Sequence, residues 1–424
     1  MKKQNKFFMA GCSAVLALFA ASCSLPAYNS ETPVYPGMSN SSFTDYSSYS
    51  IQAAEVEDDF IRGVDASEVK ALEECGIKFY DDNNSEKDVF EIFAEHDVNW
   101  IRLRIWNDYT QALSDDWAPY GYNNLNRTIN MAQRAKKYGM KVLLDFHYSD
   151  NWADPSKQKC PAMWSSITNY TELASAVGTY TEEIIQAMID ADCAPDMVQL
   201  GNEMQGGLFQ TGSSVSNAKS YTSYYLKAGA EVVRELLPDC EIMLHMSNGG
   251  NSSYLNTMLS YASEVGNDGD GNPYVTAIGV SYYPYYTSHY SDTALKTNLN
   301  KIKNNGYRVI IAENSFGYSN SAYTDSTSNE FWEDDEETCA SMLTGYDKYE
   351  GIVGGKIPAS IENQAGVMEY LMELCSEVDS QGGYFYWGAA YLGVENKMNS
   401  SWENQALFDV NGKVLPSMDV FINK

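Results

Sequence analysis

Positive charge is scarce in this chain: among 424 residues there are 28 Lys and Arg against 57 Asp and Glu, a formal net charge of −29. A phosphate backbone is held by clustered cations that displace counterions, so the composition argues against nucleic acid as a partner. Metal chemistry of the zinc type is absent as well. Once Cys12 and Cys23 are set aside with the N-terminal segment, Cys75, Cys160, Cys193, Cys240, Cys339 and Cys375 are widely spaced, with no Cys-x-x-Cys pair. No Gly-x-Gly-x-x-Gly follows the first strand-like run, which removes the usual dinucleotide signature. The apolar stretch at 7–21 is too short and too interrupted to stay across a bilayer. No internal repeat is visible.

What is present begins with a basic start, Met1-Lys-Lys-Gln-Asn-Lys6, ahead of that apolar stretch, and together they read as an export signal over residues 1–23. Small residues precede Cys23, so the signal ends either in a lipid-modified Cys23 or by ordinary cleavage nearby. Both outcomes place the protein outside the cell, freely secreted or lipid-anchored at its surface. Export permits disulfides, and their pairing stays open. Residues 24–57 are rich in Ser, Tyr, Asn, Thr and Pro without periodicity and read as a flexible tether, leaving 58–424 as one large domain.

Within that domain, strand-like runs fall at 60–65, 98–106, 140–147, 196–203, 241–246, 275–283, 307–313 and 383–387. Helical patterns lie between them at 86–96, 125–138, 171–191, 218–237, 253–265, 294–305 and 364–378. Strands alternating with helices predict a parallel sheet with helical crossovers, and eight such strands predict a (β/α)8 TIM barrel rather than an open doubly wound sheet.

Two of the runs, Asp196-Met-Val-Gln-Leu-Gly-Asn-Glu203 and Tyr307-Arg-Val-Ile-Ile-Ala-Glu313, are largely apolar and end in glutamates 110 residues apart. In a barrel, chemistry is assembled at the C-terminal ends of the strands. A pair of carboxyl groups about 5 Å apart there is what a retaining glycoside hydrolase needs, one as acid and one as nucleophile. The other strand ends also carry polar or aromatic groups: Asp65, Arg102 and Arg104, Asp145 and His147, Asn202, His245, Tyr283 and Trp387. Singly, each has a structural reading, a turn cap for Asp65 or a satisfied core histidine for His147 and His245. Recurring at the same rim, they read as a site. The 32 tyrosines fit stacking on sugars, and equally fit ordinary core and surface packing.

Longer motifs sharpen this. Asn99-Trp-Ile-Arg-Leu-Arg-Ile-Trp-Asn-Asp108, Val142-Leu-Leu-Asp-Phe-His-Tyr-Ser-Asp-Asn-Trp-Ala-Asp-Pro155, Gly201-Asn-Glu-Met-Gln-Gly-Gly-Leu208, Ile278-Gly-Val-Ser-Tyr-Tyr-Pro284 and Trp402-Glu-Asn-Gln-Ala-Leu-Phe408 resemble glycoside hydrolase family 53, the endo-β-1,4-galactanases. The resemblance runs from about residue 60 to 423. It implies Glu203 as acid/base and Glu313 as nucleophile, with Arg102 and Tyr283 holding Glu313 ionised and Asn202 reaching the sugar 2-hydroxyl. It further implies a substrate surface drawn from Asp65, Arg104, His147, Asp150, Trp152, Asp154 and His245, with Trp387 as the floor beneath the reacting sugar. For Arg104 a structural ion pair serves equally well.

No cofactor is required for such chemistry. Bacterial family members often hold calcium after the seventh strand, where this chain has the long segment 314–361; Asp325 and its neighbours are the candidate ligands for a structural calcium. Asp268-Gly-Asp-Gly-Asn272 lies before the sixth strand, lacks the distant glutamate of an EF-hand, and reads as a turn. The resulting expectation is an exported, monomeric enzyme acting on β-1,4-galactan side chains of pectin or arabinogalactan. Two alternatives remain: the same machinery on mannan or glucan, or a noncatalytic glycan-binding surface lipoprotein.

Overall fold

The structure, a computed structural model, describes residues 43–107, 123–284, 291–319, 357–394 and 403–423. Eight parallel strands close into one barrel: β1 (Ile61–Asp65), β2 (Trp100–Ile105), β3 (Lys141–Phe146), β4 (Met197–Leu200), β5 (Glu241–Met246), β6 (Ala277–Ser281), β7 (Arg308–Asn314) and β8 (Gly383–Tyr386). Each pairs with its sequence neighbours, and β1 closes on β8 through Ile61 opposite Gly383.

Helices α1 (Val69–Glu74) and α2 (Val89–Glu95) separate β1 from β2, and among the described residues one α-helix lies in each remaining crossover: α3 (Leu125–Lys137), α4 (Tyr170–Asp190), α5 (Thr222–Leu236), α6 (Ser252–Val265), α7 (Asp292–Asn304) and α8 (Ile361–Val378). Their starts are set locally. Asp88, Asn124, Asn169, Asn251, Ser291 and Ser360 each accept a backbone N–H of the first turn with the side chain, using residue types that cap helices well. α1 has no such cap, which is why its six residues carry no clear signal. Glu86 and Lys87, expected to be helical, instead pair antiparallel with Tyr80 and Phe79, so α2 starts later than its periodicity suggests.

Side chains alternate along each strand, and the inward set is layered. Ile61, Trp100, Leu143, Met197, Met243, Ala277, Ile310, Ala312 and Phe385 form an apolar cluster that plugs the barrel. Phe385 lies across the axis: a Cβ on Gly63 would meet its ring at 2.3 Å, so only glycine fits on β1 there. Two residues further along the strands the inward positions turn polar, at Asp65, Arg102, Asp145, Gln199 and His245, all buried. The plug therefore ends where the chemistry begins.

Of the segment expected to be a tether, residues 43–57 lie among the described residues and pack on the barrel. Tyr46 donates to Asp409 at 3.0 Å, Lys413 donates to the Thr44 carbonyl at 2.9 Å, and the Ala54 amide donates to the Val420 carbonyl at 3.0 Å. Tyr46, Tyr49 and Ile51 pack on Tyr318, Ile361 and Leu415. Residues 43–57 are thus a strap on the barrel rather than a flexible linker; the aromatic and branched residues among the serines supply the contacts. Among the described cysteines, Cys160, Cys193, Cys240 and Cys375 are buried free thiols.

Candidate active site

The rim is organised around Arg102, which β2 points into the barrel two residues above Trp100. Its guanidinium makes four hydrogen bonds and a further ion pair. Nε donates to Gln199 Oε1 at 3.1 Å, Nη1 meets Asp65 at 3.0 Å and Glu313 at 2.9 Å, and Nη2 meets Asp145 and Asn202 Oδ1, each at 2.9 Å. Burial alone would destabilise this cation, and the charges of Asp145, Glu313 and Asp65 outweigh that, holding it protonated. The fork fixes one carboxylate from each of three strands and the amide that follows β4.

Glu313, on β7, is 6 % exposed. Its second oxygen accepts from the Tyr283 hydroxyl at 2.9 Å. Glu203 lies three residues beyond the end of β4, because Gly201 (φ +80°) and Glu203 itself (φ +45°) turn the chain out of the strand with left-handed backbone. A side chain at Gly201 would also strike the Met204 sulfur at 2.7 Å. Left-handed backbone at a non-glycine residue costs free energy and tends to persist at functional positions. Glu203 faces Glu313 across Ser281, whose Oγ is 2.6 Å from Glu203 Oε1 and 3.4 Å from Glu313 Oε2. An oxygen of each glutamate lies within 4.8 Å of the other.

Two carboxyl groups this close cannot both ionise easily. Burial, then the charge of Glu313, pushes Glu203 up to about 8, against the pull of the Ser281 hydrogen bond. Burial raises Glu313 too, and Arg102 and Tyr283 draw it only part of the way back. The pair therefore divides itself: near neutral pH Glu203 holds the proton and Glu313 the charge.

The remaining expected site residues fall into two groups. Trp152, Trp387, Asp150 and Asp154 stand at the mouth. Trp152 and Trp387 have ring centroids 6.3 Å apart, and both lie over the Arg104 guanidinium, at 4.5 and 5.8 Å. Asp154, a third exposed, is close enough for its charge to act on Glu203. Asp150 accepts the Ala162 amide at 2.7 Å and so ties the loop after β3 together.

Asp65, Arg104, His147 and His245, expected to touch substrate, are buried instead, each 2 % exposed or less. Asp65 is consumed by Arg102, Arg104 and Ser67. Arg104 pairs with Asp65 and Glu68 at 3.2 Å each, the structural ion pair foreseen as its other role. In His147, Nδ1 accepts from Trp106 and from the Ala153 amide, both at 3.2 Å, leaving the proton on Nε2 to face Asp145 at 3.2 Å. His245 bonds Asn202 and Ser281. These four shape the rim from beneath, because the inward layer at their level is already filled. Asn202 lies between the groups: its Oδ1 is held by Arg102, Gln199 and His245, and one amide hydrogen is given to the Ala153 carbonyl at 2.8 Å, leaving the second for a ligand.

Ser281, Gln199 and Asp145 complete the polar layer. Gln199 and Ser281 were not picked out from the sequence; the available signals were that Gln199 is the one polar residue inside the run Met197-Val-Gln-Leu200 and that Ser281 lies two residues before Tyr283. Among the described residues, one group of His and acidic side chains is compact enough for a metal ion: Glu203, His245 and Glu313. Its donors are already committed to Ser281, Asn202, Tyr283 and Arg102, and the Arg102 cation lies 2.9 Å from Glu313, so the set fits a proton-sharing pair better than an ion. Asp268 accepts the amides of Asp270 and Asn272 at 2.9 Å each, closing a turn. Asp325 lies outside the described residues.

Comparison with known proteins gives the same outline. The chain is 30% identical to the endo-beta-1,4-galactanase of Bacillus subtilis (strain 168) over 404 residues, covering 86% of this chain and 85% of that protein. It is 28% identical to the arabinogalactan endo-beta-1,4-galactanase of Cellvibrio japonicus (strain Ueda107) over 370 residues, 84% of this chain and 88% of the other. Among solved structures, the family 53 catalytic domain of Ignisphaera aggregans superposes with a TM-score of 0.74 at 33% identity, covering 88% of this chain and 98% of that one. The model of the family described as "Glycosyl hydrolase family 53" matches residues 61–421, from the first barrel strand to the last packed turn. With the closed barrel and the paired glutamates at the ends of β4 and β7, that match places the chain in glycosyl hydrolase family 53.

Proposed function

We propose that the protein is a retaining endo-β-1,4-galactanase that cleaves galactan by double displacement. The observation that carries the mechanism is the unequal pair: Glu313, held by Arg102 and Tyr283 at 2.9 Å each, within 4.8 Å of a Glu203 that keeps its proton. That spacing suits direct attack on the anomeric carbon, whereas inversion needs a gap of about 6.5–9.5 Å for a water. Glu203 donates to the leaving oxygen while Glu313 attacks. In the second step the ionised Glu203 takes a proton from water, which releases the sugar from Glu313. The free amide hydrogen of Asn202 serves the 2-hydroxyl, and Trp387, Trp152, Asp150 and Asp154 line the groove.

Galactan as the substrate follows from the relatives named above, since the fold and the glutamates do not select a sugar. Galactan, mannan and cellulose incubated side by side, with products separated by size, test it. The expected result is an early spread of oligosaccharides from galactan alone. Comparable release from mannan or cellulose overturns the substrate, galactose alone in the first minutes overturns internal cleavage, and no release from any overturns the enzyme reading.

The site of action rests on the N-terminal residues, which lie outside the described ones. The basic start and short apolar stretch support export, with pectic galactan as the extracellular target and Cys23 as the anchor point. Labelling with a fatty-acid analogue in the producing cell is expected to mark Cys23. An unlabelled protein released to the medium would mean ordinary signal cleavage.

A further inference from the structure

His245 is a buried titratable group that the mechanism above leaves unused, and its surroundings fix its proton. Asn202 Oδ1 accepts from Arg102 at 2.9 Å and from Gln199 at 3.0 Å, so it is an oxygen and not a mis-assigned nitrogen. His245 Nδ1 lies 2.8 Å from that oxygen and must carry a hydrogen, since Gln199 Nε2, 3.2 Å from Nδ1, gives its two hydrogens to the Gly201 carbonyl and Asn202 Oδ1 at 3.1 and 3.0 Å. Burial, reinforced by the Arg102 charge, drives the ring well towards its neutral form. Nε2 then holds a lone pair, 3.0 Å from Ser281 Oγ.

The single Ser281 proton thus has two close acceptors, Nε2 of His245 at 3.0 Å and Oε1 of Glu203 at 2.6 Å, with Oε2 of Glu313 more distant at 3.4 Å. Which one it serves depends on Glu203. A protonated Glu203 donates to Oγ, and the Ser281 hydroxyl turns to His245. An ionised Glu203 claims the hydroxyl for itself. We propose that Ser281 is a positioning residue, a hydroxyl rotor between His245 and Glu203 that gives the same carboxyl a partner both as acid and as base.

This rests on Glu203 being the acid/base. The rotor moves no proton off Ser281: the carboxyl proton goes to the leaving oxygen in the first step, and water returns one in the second. A fixed donor would favour only the ionised form, and a fixed acceptor only the protonated one. A hydroxyl backed by a lone pair accommodates both.

The experiment uses the full-length enzyme with Ser281→Ala, His245→Asn and the double variant, on galactan and on a dinitrophenyl galactobioside. Asparagine can present an amide N–H where Nδ1 stood but supplies nothing in place of Nε2. In His245→Asn the Ser281 proton has Glu203, at 2.6 Å, as its nearest remaining acceptor, ahead of Glu313 at 3.4 Å, so Glu203 ionises more readily. The basic limb of kcat/KM on galactan is expected to move to lower pH by about one unit. In Ser281→Ala, kcat on the dinitrophenyl substrate, where the second step limits, is expected to fall roughly tenfold, the worth of one hydrogen bond to a charged group. The double variant should show the basic limb of Ser281→Ala, since His245 acts through Ser281.

An unmoved basic limb in His245→Asn, or an unchanged second step in folded Ser281→Ala, overturns the rotor. So does a further limb shift on adding His245→Asn to Ser281→Ala. Glu203→Ala on the two substrates tests the underlying reading separately: equal loss on both sinks the acid/base role itself.

Discussion

Replacing Arg102 by lysine keeps the charge and removes the fork. In the structure Gln199, Asp65, Asp145 and Asn202 accept hydrogen bonds from the guanidinium and Glu313 forms an ion pair with it, all between 2.9 and 3.1 Å. A lysine ammonium has three donors on one nitrogen. At least two buried acceptors lose their partner, and the charge cannot lie against Asp65, Asp145 and Glu313 together. Breaking a buried pair costs about 3–5 kcal/mol; because lysine retains one close contact, a loss of stability on the order of 3 kcal/mol is expected. Glu313 also loses its alignment. A displacement of about 1 Å at a reacting atom costs roughly a hundredfold in rate, so kcat on galactan should fall about that much.

The pH profile supplies a sign. The Arg102 charge draws Glu313 down against burial, so a cation held further away lets Glu313 rise. The acidic limb of kcat then moves to higher pH. Initial rates from pH 3 to 10, with circular dichroism to confirm folding, decide it. Folded Arg102→Lys with near-native kcat and an unmoved acidic limb would refute the claim that this fork orients the nucleophile. Arg104 offers no substitute, since it is consumed by Asp65 and Glu68.

Other variants separate the two carboxyl roles. Glu203→Ala should lose about a thousandfold on galactan but far less on a dinitrophenyl glycoside, whose leaving group needs no proton; the ratio of the two losses is the readout. Tyr283→Phe removes the 2.9 Å donor to Glu313 and should lower kcat roughly tenfold while moving the acidic limb to higher pH, checked by the same rate profile. Glu203→Gln bears on stability. A carboxyl raised from an ordinary 4.5 to about 8 binds its proton more tightly in the folded state, so its stabilising contribution is full below pH 4.5 and lost as pH rises through 8. The amide has no such loss, and melting curves should show Glu203→Gln gaining on the parent enzyme between pH 5 and 9.

The barrel was legible because its strands are short apolar runs and its helices mostly begin at Ser, Asn or Asp caps. The two glutamates were legible because each ends such a run. Depth was harder to read. Strand periodicity shows that Asp65, Arg104, His147 and His245 can face the barrel axis, but not whether the layer at that height is open or filled. The register that pairs Asp65 with Arg102, and Arg104 with Asp145, decides this, and it is a property of the closed sheet. Ser281 was passed over for a related reason: a small hydroxyl carries little signal until two carboxyl groups and an imidazole are seen to converge on it. Residues 43–57 misled because they were read together with the Ser-, Asn- and Pro-containing stretch before them, which hid the few residues that bind them to the barrel, Tyr46, Tyr49 and Ile51 among them.

The central claim is that Glu313 is the nucleophile and forms its bond to the sugar on the face opposite the leaving group. Glu313→Ala, assayed with a dinitrophenyl β-galactobioside in the presence of azide, tests it most directly, with the anomeric configuration of the product read by proton NMR. Turnover should vanish without azide and partly return with it, giving the α-glycosyl azide, because the small anion occupies the space of the missing carboxylate. A β-glycosyl azide, or undiminished hydrolysis without azide, would contradict the assignment.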